Sequence, residues 1–264
     1  MTERSIEERF DAQQVIAMAQ RLTVREIEAL GEATELREKG LRRARAGDFA
    51  DGRRLIDSAR LNTDRVALSD EAARMFETYQ RPAESYVDFR QGRFADAAAA
   101  MLAAIADANQ LRSEYGYIVE LRRIHLGANM IRIAATSGDH DAAIRAGLGL
   151  ARYVIGDREG WPWPALKLAD VDPLSVDARL LVLGQVLRPL ADAWARRPGS
   201  GAAFRTELQS LAKLTSGNRG DVVADTVAQW VAQMQAQTPA EPARKGRARG
   251  AGRQGRAMGA SARA

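Results

Sequence analysis

The chain has 264 residues, 46% of them hydrophobic, enough apolar material to bury a substantial core and too much for a disordered polymer. Cysteine is absent and histidine occurs twice, as His125 and His140, which excludes disulfides, thiolate metal sites and cysteine nucleophiles. The net charge of +5 is unevenly held, because residues 237–264 carry seven basic side chains against Glu241 and so hold +6, leaving the remainder at −1.

No apolar run reaches about 18 residues and no charged start leads into an apolar segment, so neither a membrane span nor a secretory signal is expected, and the expected location is cytoplasmic. Metal and cofactor are both expected to be absent. Neither histidine forms a Glu-x-x-His pair, since Glu120 lies five residues before His125 and does not share its helix face.

In chain order, Ser5 with Glu8 opens a first helix to about Gln20, and Thr23 with Glu26 repeats the capping-box pattern ahead of a long helix to about Ala46. A shorter helix should run from Asp51 to about Leu61. Helical pattern resumes through Ala72 to Gln80, where Arg81-Pro82 is expected to interrupt it, and continues over Ala83–Gln91 and Ala95–Leu111. A helix is expected over about Ser113–Thr136, with Tyr117, Leu121, Ile124, Ala128, Ile131 and Ala135 as its core stripe.

Gly156–Pro164 (GDREGWPWP) is a break. A further helix then carries the stripe Val176, Leu180, Leu183, Leu187, Leu190 and Trp194, with a kink expected at Pro189 and an end at Arg197-Pro198-Gly199-Ser200-Gly201. Phe204–Leu214 returns, and Asp221–Gln235 is amphipathic through Val223, Val227, Trp230, Val231 and Met234. Beyond Gln237 the Ala, Gly, Arg and Pro composition cannot build a core and reads as disorder.

Three stretches repeat one pattern: Ala44–Ala59, Phe89–Ala104 and Ala135–Leu150. In each a glycine (Gly47, Gly92, Gly138) is followed two residues later by Phe49, Phe94 or His140 and three residues after that by Gly52, Ala97 or Ala143. A glycine in the left-handed conformation ends one helix, the ring plugs the corner, and the small residue lets the next helix approach. The period of 45 then 46 residues falls in the range of stacked helical hairpins, each exposing an apolar flank that its neighbour must cover.

On Tyr86, Phe89, Gly92, Phe94, Ala97, Met101 and Ala104 the chain resembles the tetratricopeptide repeat family, over about residues 24–155. The first unit keeps Gly47, Phe49, Gly52, Ile56 and Ala59, while the third carries His140, Gly147 and Leu150 in their places. The spacing exceeds the roughly 34 residues of that family and implies longer helices or extra turns. The resemblance implies an all-α fold of antiparallel hairpins, stacked as a solenoid or as a compact helical repeat domain, that binds partner peptides on its concave face. The expected organisation is an N-terminal helix (1–22), hairpins (23–156), a C-terminal hairpin with a capping helix (157–236) and a disordered basic tail (237–264).

Arg122, His125, Asn129 and Arg132 step by three and four along one narrow polar face of an otherwise apolar helix, as the floor of a groove would. Two guanidiniums and an amide suit a carboxylate or a peptide backbone, so these four are the leading partner-binding residues, flanked by Tyr86 and Tyr115. Tyr117 reads as core. Trp161 and Trp163, in a stiff Trp-Pro-Trp-Pro segment, are secondary candidates, although such rings more often plug a joint between helical layers.

Leu22–Leu30 looks like the opening of a LuxR-type helix-turn-helix, but no recognition helix follows, and its Thr23 and Glu26 read as a cap. The arginine-rich tail supports weak, unspecific nucleic-acid contact, lacking aromatic rings to stack on bases. No catalytic residue is assigned, since acids such as Asp139 and Asp141 sit where helix starts want them. The leading expectation is a non-catalytic adaptor that binds another protein or peptide segment. The alternative is an accessory or catalytic subunit holding a small acidic molecule in the same groove.

Overall fold

The structure, a computed structural model, describes residues 15–164, 174–196, 206, 209–213, 215 and 220–237. The expected Ser5–Glu8 cap, the Arg197–Gly201 stop, residues 204, 205, 207, 208 and 214 of the expected return and the tail beyond 237 lie outside the described residues.

The fold is all-α, with no strand among the described residues. Its main helices are α1 (Val24–Arg45), α2 (Phe49–Asp64), α3 (Asp70–Arg90), α4 (Phe94–Tyr115), α5 (Glu120–Ser137), α6 (His140–Val154), α7 (Val176–Ala195) and α8 (Val222–Gln237). α1 packs on α2, α3 on α4 and α5 on α6 as successive hairpins; α7 then packs on both α5 and α6, and α8 on α7.

Each hairpin corner is made by the glycine that the sequence repeats. Gly47, Gly92 and Gly138 have φ of +92°, +77° and +92°, a region where a Cβ is strained, and each lies between the paired helices. At the first and third corners the next helix starts on a side-chain cap, Asp48 accepting from Asp51 N at 3.1 Å and Asp139 from Ala142 N at 3.0 Å, whereas Arg93 at the second makes no such bond. The small residue that follows is buried at every corner, as Gly52, Ala97 and Ala143.

The capping box at the start of α1 is present: Thr23 and Glu26 exchange hydrogen bonds between side chain and backbone. The other oxygen of Glu26 accepts from Ser69 N at 2.8 Å, so one carboxylate ties the first turn of α1 to the cap of α3. These bonds hold the Glu26 carboxyl down to about 2. Between the first two hairpins, Arg60 of α2 pairs with Glu77 and Glu84 of α3, and Arg81 of α3 bridges Glu77 and Asp107 of α4.

Two helix boundaries differ from expectation. Pro82 does not interrupt its helix, which runs unbroken from Asp70 to Arg90. A proline inside a helix leaves the carbonyl four residues earlier without its donor, and here that carbonyl, Thr78 O, accepts from Arg122 Nη2 at 2.9 Å. The helix expected over 113–136 is divided. α4 extends to Tyr115, Gly116 at φ +75° closes it with Tyr117 N donating to Leu111 O, and α5 begins only at Glu120. Tyr117 lies in this connection and is buried, joining the core between the early helices.

Pro189 likewise sits inside a continuous α7. The main apolar core gathers α4 to α8, with Ile105, Ile124, Leu126, Ile131, Ile144, Leu150 and Leu183 almost fully enclosed. Each such side chain contributes about 1.5–3 kcal/mol by leaving water. α8 closes this core with Val223, Val227, Val231 and Met234, and Trp230 packs against it partly buried. No helix among the described residues is long and apolar enough to cross a membrane.

Candidate functional site

A groove of about 700 Å³ lies along the first helices of the three hairpins. α1 contributes Arg37, Glu38, Leu41, Arg42 and Arg45, each on the same face because they step by three or four residues. α3 contributes Tyr79, Pro82, Ala83, Tyr86 and Phe89, and α5 contributes Arg122, His125, Asn129, Arg132 and Ile133. With 1.5 Å of rise per residue, the cationic faces of α1 and α5 each extend roughly 12–15 Å.

The groove is therefore an aromatic strip on α3 between two arginine-bearing walls. Among the described residues, five arginines line it against one carboxylate, that of Glu38, although the chain outside its tail is close to neutral. Glu38 lies 3.8 Å from Arg42, both well exposed, so this pair neutralises little at depth. Among the described residues no carboxylate lies within salt-bridge distance of Arg37, Arg45 or Arg132.

The tyrosines hold the guanidiniums in place. Arg122 sits 4.4 Å and Arg37 5.5 Å from the Tyr79 ring centre, and Arg45 lies 5.9 Å from that of Tyr86. Arg90 Nη1 donates to the Tyr86 hydroxyl at 2.7 Å, which helps to fix that ring. Arg37 donates to Thr34 Oγ1 at 3.0 Å and is only 9% exposed. Burial, reinforced by the neighbouring charge of Arg122, brings its guanidinium down to about 10.

On α5, Arg132 donates to Asn129 Oδ1 at 2.7 Å, and burial together with Arg188 of α7 lowers its affinity for a proton. His125 Nδ1 lies 3.0 Å from Gln185 Oε1, also of α7. Burial first, then the charges of Arg122 and Arg132, push this imidazole below its ordinary value, against the opposing bond to Gln185. His125 is thus neutral at neutral pH, with Nδ1 as the donor that Gln185 requires.

Of the residues singled out from sequence, Arg122, His125, Asn129, Arg132 and Tyr86 all line this groove. Tyr115 does not: it ends α4 and stacks with Arg21, whose guanidinium lies 5.7 Å from its ring and bonds its carbonyl oxygen. The missed contributors are Arg37, Arg42, Arg45 and Tyr79. The signal for the arginines was the step of Arg37, Leu41 and Arg45 on α1, which reads as an ordinary solvated face until α3 and α5 are set beside it.

Trp161 and Trp163 pack rather than project. Trp161 is buried, donates Nε1–H to Pro164 O at 3.1 Å and stacks on Arg123, whose guanidinium is 4.3 Å from its ring. Trp163 meets Trp161 edge-on at 5.2 Å and lies against α5 at Gly127. Beneath them Arg123 and Glu120 form an enclosed ion pair at 2.7 Å, and Tyr153 donates to the same carboxylate at 2.6 Å. Among the described residues no cluster of three or more histidine or acidic side chains is placed to hold a metal ion. Compared with family models, with curated proteins and with solved structures, the chain finds no significant match.

Proposed function

We propose that the protein is a non-catalytic adaptor of tetratricopeptide-like architecture whose groove holds an extended segment or helix of another protein. One observation carries this reading: the first helix of each of three consecutive hairpins presents one face to a single continuous groove. A surface assembled from repeated units suits a ligand that is itself extended, because each unit supplies one set of contacts along its length. Arg122, His125, Asn129 and Arg132 supply polar anchors from one wall, Arg37 and Arg45 from the other. The guanidinium excess selects an acidic segment.

The test is affinity capture from the native host, followed by calorimetric titration of the purified captured partner. The expected result is near-stoichiometric binding to the wild type and loss of about tenfold or more in the Arg122→Ala/Arg132→Ala double variant, with its thermal melt retained. Equal affinity in that folded variant overturns the groove as the binding face.

A second reading is favoured by the groove's volume, which lies within the ordinary range for a small-molecule site. In that case an acidic metabolite, rather than a protein segment, raises the melting temperature. Nucleic-acid association through residues 237–264 remains a separate proposal about the tail, which lies outside the described residues. Its test is nucleic-acid retention with and without residues 237–264.

A further inference from the structure

We propose that the deep end of the groove, where Arg37 and Arg122 share the Tyr79 ring, is a receptor for a phosphoryl group. This deepens the groove reading above and rests on it. Arg37 is buried, faces the groove and has no carboxylate within salt-bridge distance among the described residues. A desolvated guanidinium without a counter-charge is costly unless a ligand supplies one. Arg122 brings a second guanidinium to the same ring, held by Thr78 O.

Donor geometry decides between anions. A carboxylate offers two oxygens, which one guanidinium fork takes bidentately, whereas Arg37 and Arg122 bring two forks to the Tyr79 ring. A phosphoryl ester is close to a dianion at neutral pH, offers three acceptor oxygens and matches planar guanidinium forks bidentately. Stacking on Tyr79 fixes the plane of those forks, so little side-chain freedom is lost when the anion arrives. His125, neutral and bonded to Gln185, adds a polar wall with no competing negative charge.

The experiment titrates phenyl phosphate and benzoate into the full-length protein by calorimetry at pH 7.5 and fixed ionic strength. Phenyl phosphate is expected to bind about tenfold more tightly than benzoate. Its affinity is expected to fall about tenfold in Arg37→Gln and in Arg122→Gln, and to be unchanged in Arg43→Gln, which alters an exposed arginine outside the groove. Should Arg37→Gln fail to fold, Arg37→Lys keeps the charge and loses the fork, and a several-fold loss is expected there. Equal binding of the two probes, or full affinity in folded Arg37 and Arg122 variants, overturns the site.

The source of the phosphoryl group is read from a peptide carrying one phosphoserine. If it binds more tightly than phenyl phosphate while its unmodified twin does not bind, the group arrives on a protein segment; if it only equals phenyl phosphate, the ligand is a free ester. A captured partner treated with phosphatase separates the two layers of inference. Release supports the phosphoryl site, and retention overturns it while leaving the groove intact. Retention by Arg122→Ala/Arg132→Ala overturns the groove itself.

Discussion

Arg122 and Pro82 are linked through one carbonyl: the oxygen of Thr78, which Pro82 cannot serve from within α3, is taken by the Arg122 guanidinium at 2.9 Å. A proline ring also pushes that carbonyl away from the helix axis. Here the axis of α3 lies under the groove, so the defect in one helix becomes the anchor for a side chain of another.

Pro82→Ala is accordingly expected to stabilise the protein and to weaken the groove. A restored N–H returns Thr78 O to the axis of α3, gaining roughly 1–3 kcal/mol, while Arg122 loses part of its anchor. A melt of the variant should shift upward, and its affinity for phenyl phosphate should fall several-fold. A lowered melting temperature with unchanged affinity would separate Pro82 from Arg122.

His125 gives the groove a pH response of defined sign. The unfolded chain takes up a proton on this imidazole near pH 6.5, whereas the folded chain resists it through burial and through Arg122 and Arg132. Between the folded value and pH 6.5 the unfolded state binds more protons, so stability from this group rises with pH and is lost as pH falls below about 6.5. His125→Gln should flatten that slope in urea titrations run across the window. The imidazole resonance should titrate at higher pH in Arg122→Gln, and a resonance that does not move would remove Arg122 as a cause.

Much of the architecture was legible because it depends on local chemistry. Gly47, Gly92 and Gly138 mark their bends through a backbone conformation that glycine alone adopts without strain, and Thr23 with Glu26 marks a helix start within four residues. The stripe from Arg122 to Arg132 was legible as a polar seam on an apolar helix. Arg37 and Tyr79 were not, since their meaning depends on the lateral spacing of α1, α3 and α5, which no periodicity along one helix encodes. Pro82 misled for the same reason: the compensating donor lies 44 residues from the carbonyl it serves. Gly116 hid inside a continuous apolar rhythm, and only its left-handed closure shows that Tyr117 belongs to a connection.

Two glycines of α1 make opposite predictions. A Cβ on Gly40 would lie 2.8 Å from Gly52 O and 2.8 Å from Ile56 Cγ1, against backbone of α2 that cannot retreat without opening the hairpin. Gly40→Ala should therefore cost about 1–3 kcal/mol through overpacking, which exceeds the gain of up to about 1 kcal/mol in helix propensity. Gly31 has nothing within 4 Å of such a Cβ, and Gly31→Ala should stabilise by about 0.5–1 kcal/mol. Denaturant midpoints of the two variants should move in opposite directions. Movement in the same direction would show that α1 and α2 are not in close contact at Gly40.

The Glu120–Arg123 pair tests what fastens the Trp161 segment to α5. Both side chains are almost fully enclosed, at 2% and 1% exposure, and Tyr153 completes the set by donating to Glu120 at 2.6 Å. Burial, followed by the charge of Glu120, pushes the Tyr153 hydroxyl well above its usual range, so it remains a donor throughout the accessible pH scale. Glu120→Ala leaves Arg123 charged and enclosed with its counter-charge gone, at a cost of about 3–5 kcal/mol. Tyr153→Phe removes one bond and should cost about 1–2 kcal/mol. Replacing both charges together, as Glu120→Leu/Arg123→Met, should recover most of the loss, because an apolar pair of similar bulk carries no desolvation cost. Trp161 emission, read with Trp163, Trp194 and Trp230 replaced by Phe, reports the outcome, since its ring lies 4.3 Å from the Arg123 guanidinium. If the single variant is as stable as the wild type, the segment is held by ring packing against Gly127 and Tyr153 alone.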